Sequence, residues 1–167
     1  MSLEFALLFF FALVSHLYVL GLIFYAGQIL DALDGYVARK AGKESSFGGF
    51  LDSTVDRFSD FLIISAFGFS NLIPWSIVVI VLTTSFLVSY IRSRAELATH
   101  GTKVFNEGIF ERPERLIFIF ISLFFFLLIP SFNFFTVDFL SLTFIILAIL
   151  NTITIFQRIY IAYKLIH

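Results

Sequence analysis

Apolar residues fall in six long stretches along this chain, each closed by residues that break helices. The first covers about residues 2–15 and ends at Ser15 and His16. The second runs from about 17 to 39 and ends in the basic stretch Arg39, Lys40 and Lys43. The third spans about 47–69. A Ser70-Asn71 turn and Pro74, a residue suited to a helix start, separate it from the fourth at about 74–98. Residues 99–110, with His100, Gly101, Asn106 and Gly108, predict a loop. Pro113 opens a fifth helix that ends near Ile129, and Pro130, Ser131 and Asn133 make the next turn. The sixth helix runs from about 138 to the C-terminus. Stretches of this kind cross ~30 Å of hydrocarbon. The expected fold class is therefore all-α, a polytopic membrane protein of six transmembrane helices forming one domain over residues 1–167. The first helix is short, roughly 13 residues before Ser15, and would barely span. Either it is tilted into a thin region, or the given start lies inside a longer native helix. Its opening, MSLEFALLFFFALV, lacks the basic start and small-residue cleavage site of a signal peptide and reads as membrane helix.

Charge placement tests this map. Arg39, Lys40, Lys43 and Arg57 flank the second loop. Arg92, Arg94, Lys103, Arg112 and Arg115 surround the fourth, and Arg158 and Lys164 sit in the last turns of helix six. All 11 basic residues thus fall on one face. The positive-inside rule then places both termini and that face in the cytoplasm of a cell-membrane protein. No internal repeat is evident, which disfavours an inverted-repeat transporter.

Composition agrees. The charged share is 14%, well under the ~25% of soluble domains. The 25 phenylalanines suit a lipid-facing surface. The absence of cysteine excludes disulfides and thiolate metal sites. A net charge of −1 says nothing about partners; no nucleic acid is expected among them.

The polar exceptions carry the chemistry. Residues 31–56 read DALDGYVARKAGKESSFGGFLDSTVD. Asp31 and Asp34 share one helix face, as do Asp52 and Asp56 on the next helix. A short loop joins the two helices, so they are expected to be antiparallel neighbours with converging aspartate faces. Four carboxylates at one membrane boundary repel unless a cation neutralises them. Oxygen-only ligands select hard cations, and four carboxylates suffice for two metals about 4 Å apart, the arrangement that serves in-line displacement at phosphorus. A polar, metal-containing cavity at the cytoplasmic face is expected. Gly35, Ala38, Gly48 and Gly49 beside the aspartates suggest that something approaches the backbone closely. Each glycine in a helix interior costs up to ~1 kcal/mol relative to alanine. Arg39, one turn beyond Gly35, is placed to meet a phosphate. Any one aspartate is ordinarily a partner for Arg39, Lys40 or Arg57; four of them with these glycines point to function.

The pattern D-x-x-D-G-x-x-A-R-x8-G-x3-D-x3-D, met by Asp31, Asp34, Gly35, Ala38, Arg39, Gly48, Asp52 and Asp56, resembles the signature of the CDP-alcohol phosphotransferases. The resemblance implies two Mg²⁺ or Mn²⁺ ions held by Asp31, Asp34, Asp52 and Asp56. It implies CDP contacts from Asp31, Asp34, Gly35, Ala38, Arg39, Gly48 and Asp52. It makes Asp56 the catalytic general base. The implied reaction moves a phosphatidyl-type or archaetidyl group from a CDP-linked lipid to a small polar alcohol and releases CMP, a step of phospholipid biosynthesis. A homodimer among membrane lipids is a further implication of the family.

The acceptor must be read elsewhere. Arg92 closes helix four, Arg112 and Arg115 open helix five, and Arg158 lies in helix six. A single such arginine is most often a topology anchor. Several from three helices around one cavity suit an anionic acceptor. These segments resemble those of phosphatidylinositol phosphate and archaetidylinositol phosphate synthases. By that resemblance Arg92, Arg112 and Arg158 hold the phosphate of inositol phosphate, with Arg115 the substitute if the fifth-helix register shifts by a turn. Glycerol phosphate or serine is the alternative acceptor. A divalent-cation channel or transporter is the alternative of another class; it would need polar residues continuing across the membrane, and neither aspartate helix offers them. Asp60 continues the Asp52–Asp56 stripe about 6 Å deeper. It is expected to pair with a nearby arginine or to support the site, without binding metal.

Overall fold

A computed structural model describes residues 2–40, 46–99, 110–129, 133–134 and 137–166. The segments 41–45 and 100–109, and with them Lys43, His100, Gly101, Lys103, Asn106 and Gly108, lie outside the described residues. So do the side chains of 35–40, among them Ala38 and Arg39.

Within the described residues six helices form where the apolar stretches predict them: α1 (Ser2–Val14), α2 (Tyr18–Lys40), α3 (Ser46–Phe69), α4 (Trp75–Ala98), α5 (Arg112–Leu128) and α6 (Phe139–Ile166). Their ends have local causes. α1 stops because His16 takes a left-handed backbone (φ 59°), letting Leu17 N–H reach the Ala12 carbonyl and His16 N–H the Leu13 carbonyl. Asn71 (φ 57°) ends α3 in the same way, with Leu72 N–H on the Phe67 carbonyl. Pro74 caps α4, and Pro113 sits in the first turn of α5, where its missing N–H costs nothing. Ahead of α6 a small ribbon pairs β1 (Asn133–Phe134) with β2 (Val137–Asp138), a detail the sequence pattern did not predict. The Asp138 carboxylate then accepts the Ser141 N–H at 2.8 Å and caps α6.

The helices pack in a ring: α1 against α2 and α3, α3 against α4, α4 against α6, α6 against α5, and α5 against α2. This corrects one expectation. Over the described residues α1, rather than close α2–α3 packing, joins the two aspartate helices. The ring interior is filled on the far half by an aromatic column. Phe9 meets Tyr25 and Phe67 at ring-centroid distances of 5.0 and 6.0 Å, and Phe67 meets Phe144 at 4.8 Å. Among the described residues, α4 and α6 are the helices long and apolar enough to cross a membrane by length and composition. α1, at 13 residues, is short, and the polar aspartate stretches lower the hydropathy of α2 and α3.

Candidate active site

The half of the ring that carries the aspartates is built on charge. On α3, Gly48, Asp52, Asp56 and Asp60 follow one another at four-residue intervals and so share a face. Their burial deepens along it: the side chain of Asp56 is 15% exposed and that of Asp60 11%. Arg112 and Arg115, three apart at the start of α5, meet this stripe. Arg112 places Nη1 2.7 Å from Asp56 Oδ1 and donates from Nε to Asp60 Oδ1 at 3.0 Å. Arg115 donates from Nη2 to Asp60 Oδ2 at 3.0 Å. The expectation that Asp60 pairs with an arginine is met twice over.

Arg158 reaches the same region from α6. It is buried, donating from Nη1 to the Val88 carbonyl at 2.6 Å and from Nη2 to Glu111 Oε1 at 2.8 Å. Arg92 of α4 donates from Nε to Glu96 Oε1 at 2.9 Å and lies 3.8 Å from Glu111 Oε2. Glu111 also begins α5: its own N–H is taken by Glu114 Oε2 at 3.0 Å, half of a capping box. The four predicted arginines therefore split into two groups, Arg112 and Arg115 on the α3 carboxylates and Arg92 and Arg158 on Glu111. Glu111 thus serves both as the cap of α5 and as the partner of Arg158. The E-x-x-E spacing ahead of an apolar run was the available signal for its capping role.

Several arginine N–H groups in this layer have no partner among the described residues. Arg112 Nη2, Arg115 Nη1 and Arg158 Nε are buried with no hydrogen-bond partner among the described residues. Arg57 Nε and Nη1 are buried in the same way; donors left unpaired cost roughly 1–3 kcal/mol each, so an anion able to accept from them would bind favourably in this layer. Apolar packing closes the layer from below, where Tyr25 stacks on Phe120 with centroids 6.2 Å apart.

The other aspartates lie nearer the rim. Asp31 and Asp52 are half-buried and Asp34 is exposed. Asp31 and Asp34 make no ion pair or hydrogen bond among the described residues, which leaves their oxygens available. Among the described residues no three Asp, Glu or His side chains stand close enough together to hold one metal ion. The donor set nevertheless fits a hard divalent cation by chemistry: carboxylate oxygens alone, at one end of the bundle, two of them uncommitted.

Comparison with known proteins gives this arrangement a context. Residues 1–161 match the family model described as CDP-alcohol phosphatidyltransferase. The archaetidylinositol phosphate synthase of Pyrococcus horikoshii is 44% identical over 144 residues, covering 86% of this chain and 69% of that one. The crystal structure of Mycobacterium tuberculosis phosphatidylinositol phosphate synthase with CDP-DAG bound superposes with a TM-score of 0.67 at 28% identity, over 98% of this chain and 86% of that one. The same enzyme in complex with manganese and citrate gives 0.67 at 29% identity, over 97% and 77%.

Proposed function

The chain belongs to the CDP-alcohol phosphatidyltransferase family, a family of metal-dependent membrane transferases of phospholipid biosynthesis, and on that premise we propose that it transfers a phosphatidyl-type or archaetidyl group from a CDP-linked lipid to inositol phosphate. One observation favours an anionic acceptor, and the archaetidylinositol phosphate and phosphatidylinositol phosphate synthases among the relatives favour inositol phosphate as that anion. Arg112 Nη1 lies 2.7 Å from Asp56 Oδ1, and its Nη2 is a buried donor without a partner among the described residues. An anionic acceptor gripped by that arginine is brought beside the carboxylate that would deprotonate it.

The chain's own residues divide the work. Arg112 and Arg158, with Arg92 and Arg115 beside them, bind and orient the acceptor phosphate through charge-assisted hydrogen bonds. Holding the acceptor in line turns a bimolecular encounter into an oriented one. Asp56 takes the proton from the acceptor hydroxyl, which attacks the β-phosphorus and releases CMP. Gly35, Ala38, Arg39 and Gly48, with Asp31, Asp34 and Asp52, receive the CDP portion. Asp31, Asp34, Asp52 and Asp56 would hold two Mg²⁺ or Mn²⁺ ions, which supply polarisation of the pyrophosphate and neutralisation of the leaving CMP. In this reading six helices cross the membrane as one domain, both termini and the site face the cytoplasm, and the chain works as a homodimer. Family membership removes the need for the channel alternative.

The test is CMP release by the purified protein with CDP-lipid, Mg²⁺ or Mn²⁺, and a panel of acceptors. Release with inositol phosphate is expected. Release with glycerol phosphate or serine but not inositol phosphate would overturn the acceptor, and no release with any acceptor would overturn the reading altogether.

A further inference from the structure

Asp60 is one turn too deep for the rim, and both its oxygens are already spent on arginines. We propose that Asp60 is a positioning residue that sets the α5 arginines against the base on α3, and so determines how the acceptor phosphate is held. This rests on the reading of Arg112 as an acceptor ligand and Asp56 as the base.

Three observations carry it. The first is how the Arg112 fork is divided. Nε is fixed by Asp60 Oδ1 at 3.0 Å, and Nη1 lies against Asp56 Oδ1 at 2.7 Å. Fixing Nε fixes the plane of a rigid guanidinium, so Asp60 decides where Nη1 and Nη2 point. The second is that one carboxylate orders two arginines. Asp60 Oδ2 accepts from Arg115 Nη2 at 3.0 Å, and each arginine then keeps one buried donor, Arg112 Nη2 and Arg115 Nη1, without a partner among the described residues. Two such donors ordered by the same carboxylate offer a fork to one phosphate. The third is the packing. α5 packs its backbone on α2 and α6, whereas α3 packs on α1 and α4. Three ion pairs join the base-bearing and the arginine-bearing helix, Asp56 with Arg112 and Asp60 with Arg112 and Arg115, and Asp60 takes part in two of them. Burial makes those pairs directional, because a partly dry site weakens both screening and competition from water.

Asparagine at 60 would offer one acceptor oxygen where there are two, so one arginine would be released. Glutamate would keep both acceptors on a stem one methylene longer.

The experiment measures initial rates of CMP release by the full chain in detergent. CDP-lipid and acceptor are varied separately for the wild type, Asp60→Asn, Asp60→Glu, Arg112→Gln and the Asp60→Asn/Arg112→Gln double variant. Only protein that elutes monodisperse is used, and acceptor binding is read independently by calorimetry without CDP-lipid. Asp60→Asn is expected to raise the acceptor KM and Kd by about tenfold or more, the scale of a lost charged hydrogen bond, with the CDP-lipid KM held within about twofold. Asp60→Glu is expected to recover most of that loss and remains the informative variant if Asp60→Asn does not fold. The double variant is expected to bind acceptor about as weakly as Arg112→Gln alone, since the two residues act as one unit. Unchanged acceptor KM and Kd in folded Asp60→Asn, or in folded Asp60→Glu where Asp60→Asn yields no folded protein, would overturn the proposal and leave Asp60 a brace. So would single-variant losses that simply multiply in the double variant. A wild type that uses serine alone would instead overturn the acceptor reading, before any variant is compared.

Discussion

Arg158 and Glu111 meet at 2.8 Å between α6 and the start of α5, and the same guanidinium holds the Val88 carbonyl of α4 at 2.6 Å. One buried side chain thus ties three helices together at the level of the site. Arg158→Met removes the charge and both donors while keeping much of the volume. It leaves Glu111 without one of its cations and takes from the Val88 carbonyl the donor that ties α6 to α4, leaving it only its partner within the helix. Breaking a buried pair from one side costs about 3–5 kcal/mol. A clear fall in the thermal midpoint of the detergent-solubilised protein is expected, together with a raised acceptor KM. A variant as stable as the wild type would show that the pair contributes nothing to holding α5.

Asp56 is expected to be needed for turnover and dispensable for donor binding. Asp56→Asn keeps an oxygen for the Arg112 contact, which spans 2.7 Å in the native protein, but cannot accept the acceptor's proton. Loss of a general base lowers the rate by roughly 10²–10⁴-fold. The rate is read as CMP release, and CDP-lipid affinity is read by calorimetry on the same sample. Wild-type turnover in this variant would remove Asp56 from the role of base.

Metal removal should act on chemistry before structure. The fold within the described residues is held by apolar packing and arginine–carboxylate pairs. Chelation is therefore expected to stop CMP release while leaving the helical circular dichroism unchanged, and Mg²⁺ or Mn²⁺ should restore the rate. Asp34, exposed on α2, can be altered with little effect on packing. Asp34→Asn should shift the metal concentration for half-maximal rate upward by about tenfold or more, as loss of a charged ligand does. Metal dependence identical to that of the wild type would exclude Asp34 from the ligand set.

The helix boundaries were legible because their causes are local. Pro74 and Pro113 mark starts, and His16 and Asn71 occupy the left-handed positions that end α1 and α3. Which helix lies beside which was less legible. A short link between α2 and α3 suggests adjacency, yet α1 packs on both, and nothing in chain order encodes that. The ribbon of β1 and β2 escaped because two-residue strands carry no periodicity. In the site, the four-residue stripe announced Asp60 as a neighbour of Asp56. Its double pairing needed the tertiary meeting of α3 with Arg112 and Arg115. Glu111 was masked by its neighbours, since a glutamate in E-R-P-E reads first as a local partner and only the fold brings Arg158 to it.

The contact of α1 with α2 should depend on the absence of a side chain at Gly27. A Cβ built there would lie 2.6 Å from Phe5 Cε1 and 2.9 Å from Phe5 Cδ1, closer than carbon atoms can stand. A larger residue must therefore displace the Phe5 ring, and where the ring cannot turn aside α1 moves away from α2. Because α1 also packs on α3, the displacement would reach the aspartate helix. Gly27→Val is expected to cost about 1–3 kcal/mol by overpacking, read as a lower thermal midpoint. Phe5→Ala alone is destabilising as well, since it opens a gap in the same interface. The combination should be less damaging than the sum of the two, because the valine fills space that the ring vacates. Residues in direct contact show interaction energies of about 0.5–3 kcal/mol in such cycles. Additive losses would show that Gly27 and Phe5 do not confront each other across the interface. The activity of the double variant then measures how far the aspartates depend on the seat of α1.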